Sequence, residues 1–188
     1  MKKIILAVSL VASVFAANAQ EKGAFRVGLR GAVNTQSALN DDIERTLGPG
    51  AGLSIQYAFT DNITAEVSGN YFLKSEKEEP TFGIKYSTQT TEINVNIKYY
   101  VTSETLDFLP ENVQLYAFGG LNRTMNKLED EVNGSSDDNI TGFNAGAGVD
   151  YLLSDNFGIT LQGKYAGVDY GGTGESAIVG NLGAFLSF

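Results

Sequence analysis

The 188-residue chain contains no cysteine, no histidine and no tryptophan, and it has only three prolines. Without cysteine it can form no disulfide and can carry no lipid on a cysteine side chain. Without histidine and cysteine it lacks Ser-His and Cys-His nucleophile pairs, imidazole bases and the usual ligands of zinc. We therefore expect that the protein is not an enzyme, and we expect no cofactor and no metal site.

Basic residues are also scarce. The chain has 13 Lys and Arg against 22 Asp and Glu, which gives a formal net charge of −9. Binding of nucleic-acid phosphates needs clustered Lys and Arg side chains. We therefore predict that no nucleic acid is a partner.

The one long apolar run lies at the start of the chain. Residues 1–20, MKKIILAVSLVASVFAANAQ, place two lysines before an apolar segment that leads to Ala17, Asn18 and Ala19. Small residues at these two alanine positions are typical of a secretory cleavage site, and the run is shorter than the roughly 20 residues of a membrane-spanning helix. We predict a signal peptide over residues 1–19 and a single domain over residues 20–188. Export without cysteine favours a bacterial envelope protein.

Eight later segments alternate apolar and polar residues with a period of two, which predicts β-strands. In the first, Val27 and Leu29 share one face, whereas Arg26 and Arg30 lie on the other. The predicted strands are residues 24–33, 52–59, 62–71, 91–100, 113–123, 143–153, 157–165 and 176–188.

The connections between these strands alternate in length. Short turns are predicted at 60–62 (TDN) and 154–156 (SDN), and long loops at 34–50, 74–87, 124–139 and 166–175. Residues 101–112 are the exception, a connection of medium length where the alternation requires a short turn. Pro49, Pro80 and Pro110 fall in these connections, as expected for a hydrogen-bonded ladder that needs every N–H. One end of the structure should therefore carry short turns and the other end long loops.

The two faces of the predicted strands differ in composition. No charged residue lies in the middle of the apolar face, which suits lipid because a midplane Lys or Arg costs about 2–4 kcal/mol. The opposite face is rich in glycine, amides and hydroxyls and carries four cations and three carboxylates, which we interpret as a narrow lumen with paired charges. The predicted lumen charge network comprises Arg26, Arg30, Glu66, Glu92, Lys98, Asp150 and Lys164. The alternative is the solvated sheet of a soluble periplasmic sandwich.

Aromatic residues of the apolar face fall at two levels, as in the interfacial girdles of a membrane barrel. The level near the short turns comprises Phe25, Tyr57, Phe59, Tyr99, Tyr151, Phe157 and Phe188. The level near the long loops comprises Tyr71, Phe143 and Tyr165.

The final segment, NLGAFLSF, keeps the alternation to Phe188. In lipid an open sheet edge leaves unsatisfied backbone groups, so the last strand should pair with the first. With the signal peptide, the glycine-rich alternating strands and the TDN and SDN turns, this ending resembles the small eight-stranded outer membrane β-barrel family, which includes the OmpX, OmpW and OmpA-type transmembrane domains. The resemblance covers residues 20–188 and implies an all-β fold, an eight-stranded antiparallel up-and-down transmembrane β-barrel in the cell outer membrane.

The resemblance also frames the function. It implies a non-enzymatic protein with a structural or surface-interaction role in the envelope; the alternative is a narrow porin-like channel, or an OmpW-like route for small or hydrophobic solutes. The implied partners are outer membrane lipid, lipopolysaccharide and the barrel-insertion machinery, which reads the aromatic end of the C-terminal strand. We expect a monomer with a plugged polar interior. Eight strands enclose just enough space for side chains to fill.

The long connections hold many of the acidic residues. The longest cluster is EDEVNGSSDDN, residues 129–139, which lacks the spacing of a calcium-binding loop. We predict a solvated loop here. The alternative is bridging to lipopolysaccharide phosphates through divalent cations, or contact with a partner at the cell surface.

Overall fold

The computed structural model describes residues 22–36, 46–78, 85–103, 106–130, 134–168 and 175–188. The predicted signal peptide, residues 1–19, lies outside these ranges. The strands are β1 (Phe25–Gln36), β2 (Thr46–Ala58), β3 (Ile63–Glu78), β4 (Lys85–Val101), β5 (Val113–Asp130), β6 (Gly134–Ser154), β7 (Phe157–Val168) and β8 (Glu175–Ser187). Within the described ranges, no helix is long and apolar enough to cross a membrane.

The eight strands form one closed antiparallel barrel in which each strand pairs with its neighbour in sequence. The seam between β1 and β8 runs from Arg26 opposite Ser187 to Thr35 opposite Ile178. Beyond it, Phe25 and Phe188 exchange backbone hydrogen bonds of 3.0 and 2.8 Å. The predicted fold is confirmed, and the final segment closes the cylinder against the first strand.

The strands are longer than predicted at the end with the long connections. β5 and β6 remain paired as far as Asp130 opposite Gly134, so most of the connection predicted over residues 124–139 is a continued hairpin. The other three long connections are shortened in the same way. The prediction was wrong because it used apolar alternation, whereas backbone pairing continues through hydroxyl, amide and charged residues in water.

Pro49 was also predicted in a connection, and the structure places it in β2 opposite Val33. Pairing of β2 with β3 starts one residue later, at Gly50. Among the described residues, Pro49 therefore has a paired strand, β1, on one side only. Its missing N–H breaks no hydrogen bond to a second neighbouring strand. Pro110 lies between β4 and β5 as predicted, and Pro80 lies outside the described residues.

The short turns are tied to neighbouring strands by equivalent asparagines. Asn62 donates from Nδ2 to the carbonyl of Tyr100 at 2.9 Å and accepts from the Tyr100 N–H at 2.7 Å. Asn156 donates from Nδ2 to the Ser187 carbonyl at 3.1 Å and accepts from its N–H at 2.8 Å. The TDN and SDN turns thus perform the same task, except that Ser154 belongs to β6 rather than to the turn.

Candidate functional site

The two faces of the barrel wall have opposite exposure. Leu29 and Leu161, which point outward, are 65 and 56 % exposed, whereas Glu66 and Lys98, which point inward, are each 1 % exposed. This alternation follows from the period-two geometry of strands, which sends consecutive side chains to opposite faces. The wall therefore presents an apolar band outside and encloses a polar lumen.

All seven charged residues predicted for the lumen are buried, and they form three ion-pair groups. The first group lies toward the short turns. The Arg26 guanidinium is 3.0 Å from the Asp150 carboxylate and donates at 3.2 Å to Oε1 of Gln114. The Arg26 guanidinium also lies 4.7 Å from the centre of the Phe185 ring, a cation–π contact.

The second group centres on Glu66. Its Oε2 lies 2.7 Å from Nζ of Lys98, and its Oε1 lies 3.7 Å from Nη1 of Arg30. Amide groups of Gln56 and Asn96 donate to the same carboxylate, each at 3.2 Å. Lys98 also lies over the Tyr116 ring, 4.4 Å from its centre. One carboxylate therefore serves two cations and two amides.

The third group lies nearer the long connections. Nζ of Lys164 is 2.5 Å from Oε1 of Glu92 and donates at 2.9 Å to Oδ1 of Asn94. Asn70 accepts from Nε of Arg30 at 3.2 Å and donates to Glu92 at 3.1 Å, so it connects the second and third groups.

A bridge also connects the first and second groups. The Tyr100 hydroxyl lies 3.2 Å from Oδ2 of Asp150 and 3.3 Å from Oε1 of Gln56, and its single O–H can donate to either acceptor. Because Gln56 in turn donates to Glu66, the polar contacts form one continuous network along the lumen. The charged side chains of the lumen therefore bind one another and the neighbouring amides and hydroxyls.

The sequence reasoning missed a set of aromatic rings in the lumen. These buried rings are Phe72, Tyr100, Tyr116, Phe118 and Phe185. Four of the five lie directly opposite a glycine of a neighbouring strand: Phe72 and Gly50, Tyr116 and Gly148, Phe118 and Gly146, Phe185 and Gly158.

Because these glycines have no side chain, they leave the space that the rings occupy. A Cβ added at Gly148 would lie 2.4 Å from Cζ of Tyr116, and one at Gly146 would lie 2.6 Å from Cζ of Phe118. Cross-strand pairing of glycine with an aromatic ring was the signal available in the sequence, but it requires the strand register.

The ten predicted interface aromatics all occupy outward positions of the wall. Eight of them, from Phe25 to Tyr165, are at least 39 % exposed, and Tyr57 and Phe188 are partly exposed. Near the seam, the ring centres of Phe25 and Tyr57 are 4.8 Å apart and those of Tyr57 and Phe59 are 5.1 Å apart. These contacts build a continuous aromatic patch at the short-turn end.

β3 to β6 continue past the rest of the wall at the other end. Pairing persists to Glu78 opposite Lys85 and to Asp130 opposite Gly134, whereas β2 joins β3 only from Phe72 inward. On the far side, β7 joins β6 only from Gly142 inward. Among the described residues, this outer sheet (73–78, 85–91, 124–130 and 134–141) ends at β3 on one side and at β6 on the other.

Comparison with known proteins gives a consistent result for the fold. A family model described as the outer membrane protein beta-barrel domain matches residues 4–185. No curated protein matches the chain.

Solved structures with the same fold share little sequence with the chain. The attachment invasion locus protein Ail of Yersinia pestis has a TM-score of 0.61 at 18 % identity, covering 89 % of this chain and 99 % of its own. The N-terminal β-barrel domain of Pseudomonas aeruginosa OprF has a TM-score of 0.62 at 15 % identity, covering 90 and 100 %. The outer membrane protein OprG from Pseudomonas aeruginosa has a TM-score of 0.56 at 15 % identity, covering 90 and 97 %.

Proposed function

The chain belongs to the family of outer membrane protein beta-barrel domains, and we propose that it is a non-enzymatic surface-interaction protein. Its place is the outer membrane, where the apolar band faces lipid. We propose that the barrel works as a monomer, surrounded by outer membrane lipid and lipopolysaccharide. The alternating C-terminal strand, β8, is the segment that we expect the barrel-insertion machinery to read.

The outer sheet is the observation that carries this proposal. Its four strands extend beyond the level where β2 and β7 stop pairing, so the edges of β3 and β6 present backbone N–H and C=O groups outside the closed barrel. Such edges are templates for strand addition, in which an extended segment of a partner pairs with the sheet. A purely structural barrel has no need of them.

The lumen supports the non-enzymatic and non-conducting parts of the proposal. Its carboxylates Glu66, Glu92 and Asp150 are all bound by cations, so none is placed as a free acid or base toward a substrate. The network and the five rings are buried inside the barrel. No contact among the described residues favours the alternative of a narrow channel.

The acidic residues of the outer sheet limit the kinds of partner that we expect it to bind. Acidic residues of the outer sheet and its connections include Glu76, Glu78, Glu129, Asp137 and Asp138. We expect these to repel polyanions and to favour a cationic or neutral partner, or phosphate groups bridged by divalent cations. One fold neighbour is by name an attachment and invasion protein, which motivates an adhesion assay.

The test is to remove the outer sheet and keep the barrel. In one variant, short turns replace residues 75–88 and 125–139, and the paired strands below them are retained. Cells lacking the protein are complemented with the wild-type chain or the trimmed variant, and their binding to surfaces and to other cells is measured. We expect the trimmed variant to match the cells without the protein.

Two controls separate loss of interaction from loss of the barrel. The trimmed variant should still migrate in gels as a heat-modifiable folded barrel, and resistance of the cells to detergent should equal that of wild-type cells. Full binding by the trimmed variant would contradict the proposal. Restored binding with lost detergent resistance would instead indicate a structural role.

A further inference from the structure

Among the described charged side chains of the lumen, one cation is in surplus. Arg26 is matched by Asp150, and Lys164 is matched by Glu92. The second group has a single carboxylate, Glu66, for two cations. A buried ion needs a partner of opposite charge, so the surplus cation needs a further negative charge nearby.

The geometry identifies Arg30 as the surplus cation. Lys98 holds Glu66 at 2.7 Å, a strong charge-assisted contact, whereas Arg30 is 3.7 Å away, beyond hydrogen-bond length. The hydrogen bonds of Arg30 go to neutral amides instead, at 3.2 Å to Asn70 and at 3.3 Å to Gln162. Its positive charge therefore has no carboxylate of its own.

A small cavity lies against this guanidinium. Its walls include the charged side chains of Arg30, Lys98 and Glu66 and the polar side chains of Ser54, Gln56 and Gln162, and it has room for about one water-sized particle. Gln162 accepts from Arg30 through Oε1, which leaves its NH₂ group as a donor. Ser54 adds a hydroxyl. The cavity thus brings together two cations, one carboxylate and neutral donors, and of the two cations Arg30 is the one without a close carboxylate.

We propose that this cavity binds one small monovalent anion of halide size. Arg30 supplies the charge, and the Gln162 amide and the Ser54 hydroxyl supply hydrogen bonds. Glu66 also borders the cavity, but its two oxygens are occupied by Lys98, Gln56 and Asn96. The anion makes the lumen electrically neutral with four cations, three carboxylates and one bound ion. This site stands independently of the surface-interaction role.

Bromide is the probe, because its anomalous scattering locates it in a crystal. The protein is purified from outer membranes in detergent and crystallised in sodium bromide. We expect an anomalous peak inside the cavity, within contact distance of Arg30. A cavity that holds only water, or bromide found only on the outer surface, would overturn the proposal.

Variants test the assignment to Arg30. Arg30→Gln removes the surplus charge and leaves Glu66 paired with Lys98, so the bromide peak should fall to background. The matched control, Lys164→Gln combined with Glu92→Gln, removes a balanced pair and should keep the peak. Persistence of the peak in Arg30→Gln would contradict the assignment.

A solution measurement does not depend on crystals. The thermal midpoint of the wild-type barrel in detergent is followed while sodium bromide replaces sodium gluconate at constant ionic strength. A ligand that binds only the folded state raises this midpoint with concentration. We expect a rise for the wild type and for the control pair, and none for Arg30→Gln. An equal response in all three would mean a general salt effect and no site.

Discussion

The lumen face and the lipid face of the barrel wall handle polar atoms in opposite ways. On the lipid face, stability depends on composition, and any apolar side chain of suitable depth will serve. On the lumen face, the charged groups depend on particular partners from other strands, as Arg26 depends on Asp150. Substitutions outside should therefore follow depth in the membrane, whereas substitutions inside should follow the network of partners.

The largest effect is expected for Glu66→Gln. This nearly isosteric change leaves Lys98 and Arg30 buried without a carboxylate, which should lower the free energy of unfolding by about 3–5 kcal/mol. The measurement is a denaturant titration of the barrel folded into lipid vesicles. In a double-mutant cycle, adding Lys98→Met should recover part of the loss, with a coupling of about 0.5–3 kcal/mol. Strictly additive effects of the two substitutions would contradict the claim that lumen side chains depend on particular partners.

On the lipid face, Leu161→Lys places a charge in the middle of the apolar band. We expect a loss of about 2–4 kcal/mol in the free energy of unfolding, because the ammonium group is removed from water. The control is Thr141→Lys, an exposed outward position near the long-connection end, where the loss should be about 0–1 kcal/mol. Equal losses at both positions would mean that depth does not govern this face.

Two glycines on opposite faces of the wall allow a matched pair of substitutions. Gly148→Ala sets a methyl group 2.4 Å from the Tyr116 ring in the lumen and should cost about 1–3 kcal/mol through overpacking. Gly163→Ala, on the outward face, meets nothing within 4 Å and should change stability by no more than about 0.5 kcal/mol. Both are read from the same denaturant titrations. A cost at Gly163 equal to that at Gly148 would refute the role given to the lumen glycines.

The smallest effect concerns positions that belong to neither face. Asn62→Ala removes the hydrogen bond to the Tyr100 carbonyl, and Asn156→Ala removes the one to the Ser187 carbonyl. Each should cost about 1 kcal/mol, the net value of one such bond. Because the two turns are equivalent, the losses should agree within experimental error. A loss at only one turn would show that the equivalence is limited to geometry.

Much of the fold was predictable because period-two alternation reports which face meets lipid. One such pattern is enough to place a strand in the wall and to orient it: Val27 and Leu29 point outward, and Arg26 and Arg30 point inward. The strand ends were not predictable from the same signal. In residues 124–130, which continue past the wall, the sequence does not need to alternate apolar and polar residues, although strand pairing continues.

The candidate site was predictable in its members but not in its partners. The alternation of the strands alone indicates that four cations and three carboxylates share the lumen. Which of them meet depends on the register of all eight strands: Arg26 and Asp150 are 124 residues apart in sequence. The lumen rings were missed because the interior was predicted from polar residues only, although Tyr116 is in phase with the buried Gln114 and Asn122 of its strand.

The central claim is that the lumen is filled by paired side chains, so that the protein acts through its outer sheet. Conductance of the purified barrel in planar lipid bilayers tests this most directly. We predict no steady current across the range of voltages that an intact bilayer withstands. A stable, reproducible single-channel current from the wild-type protein would contradict the account and support solute passage.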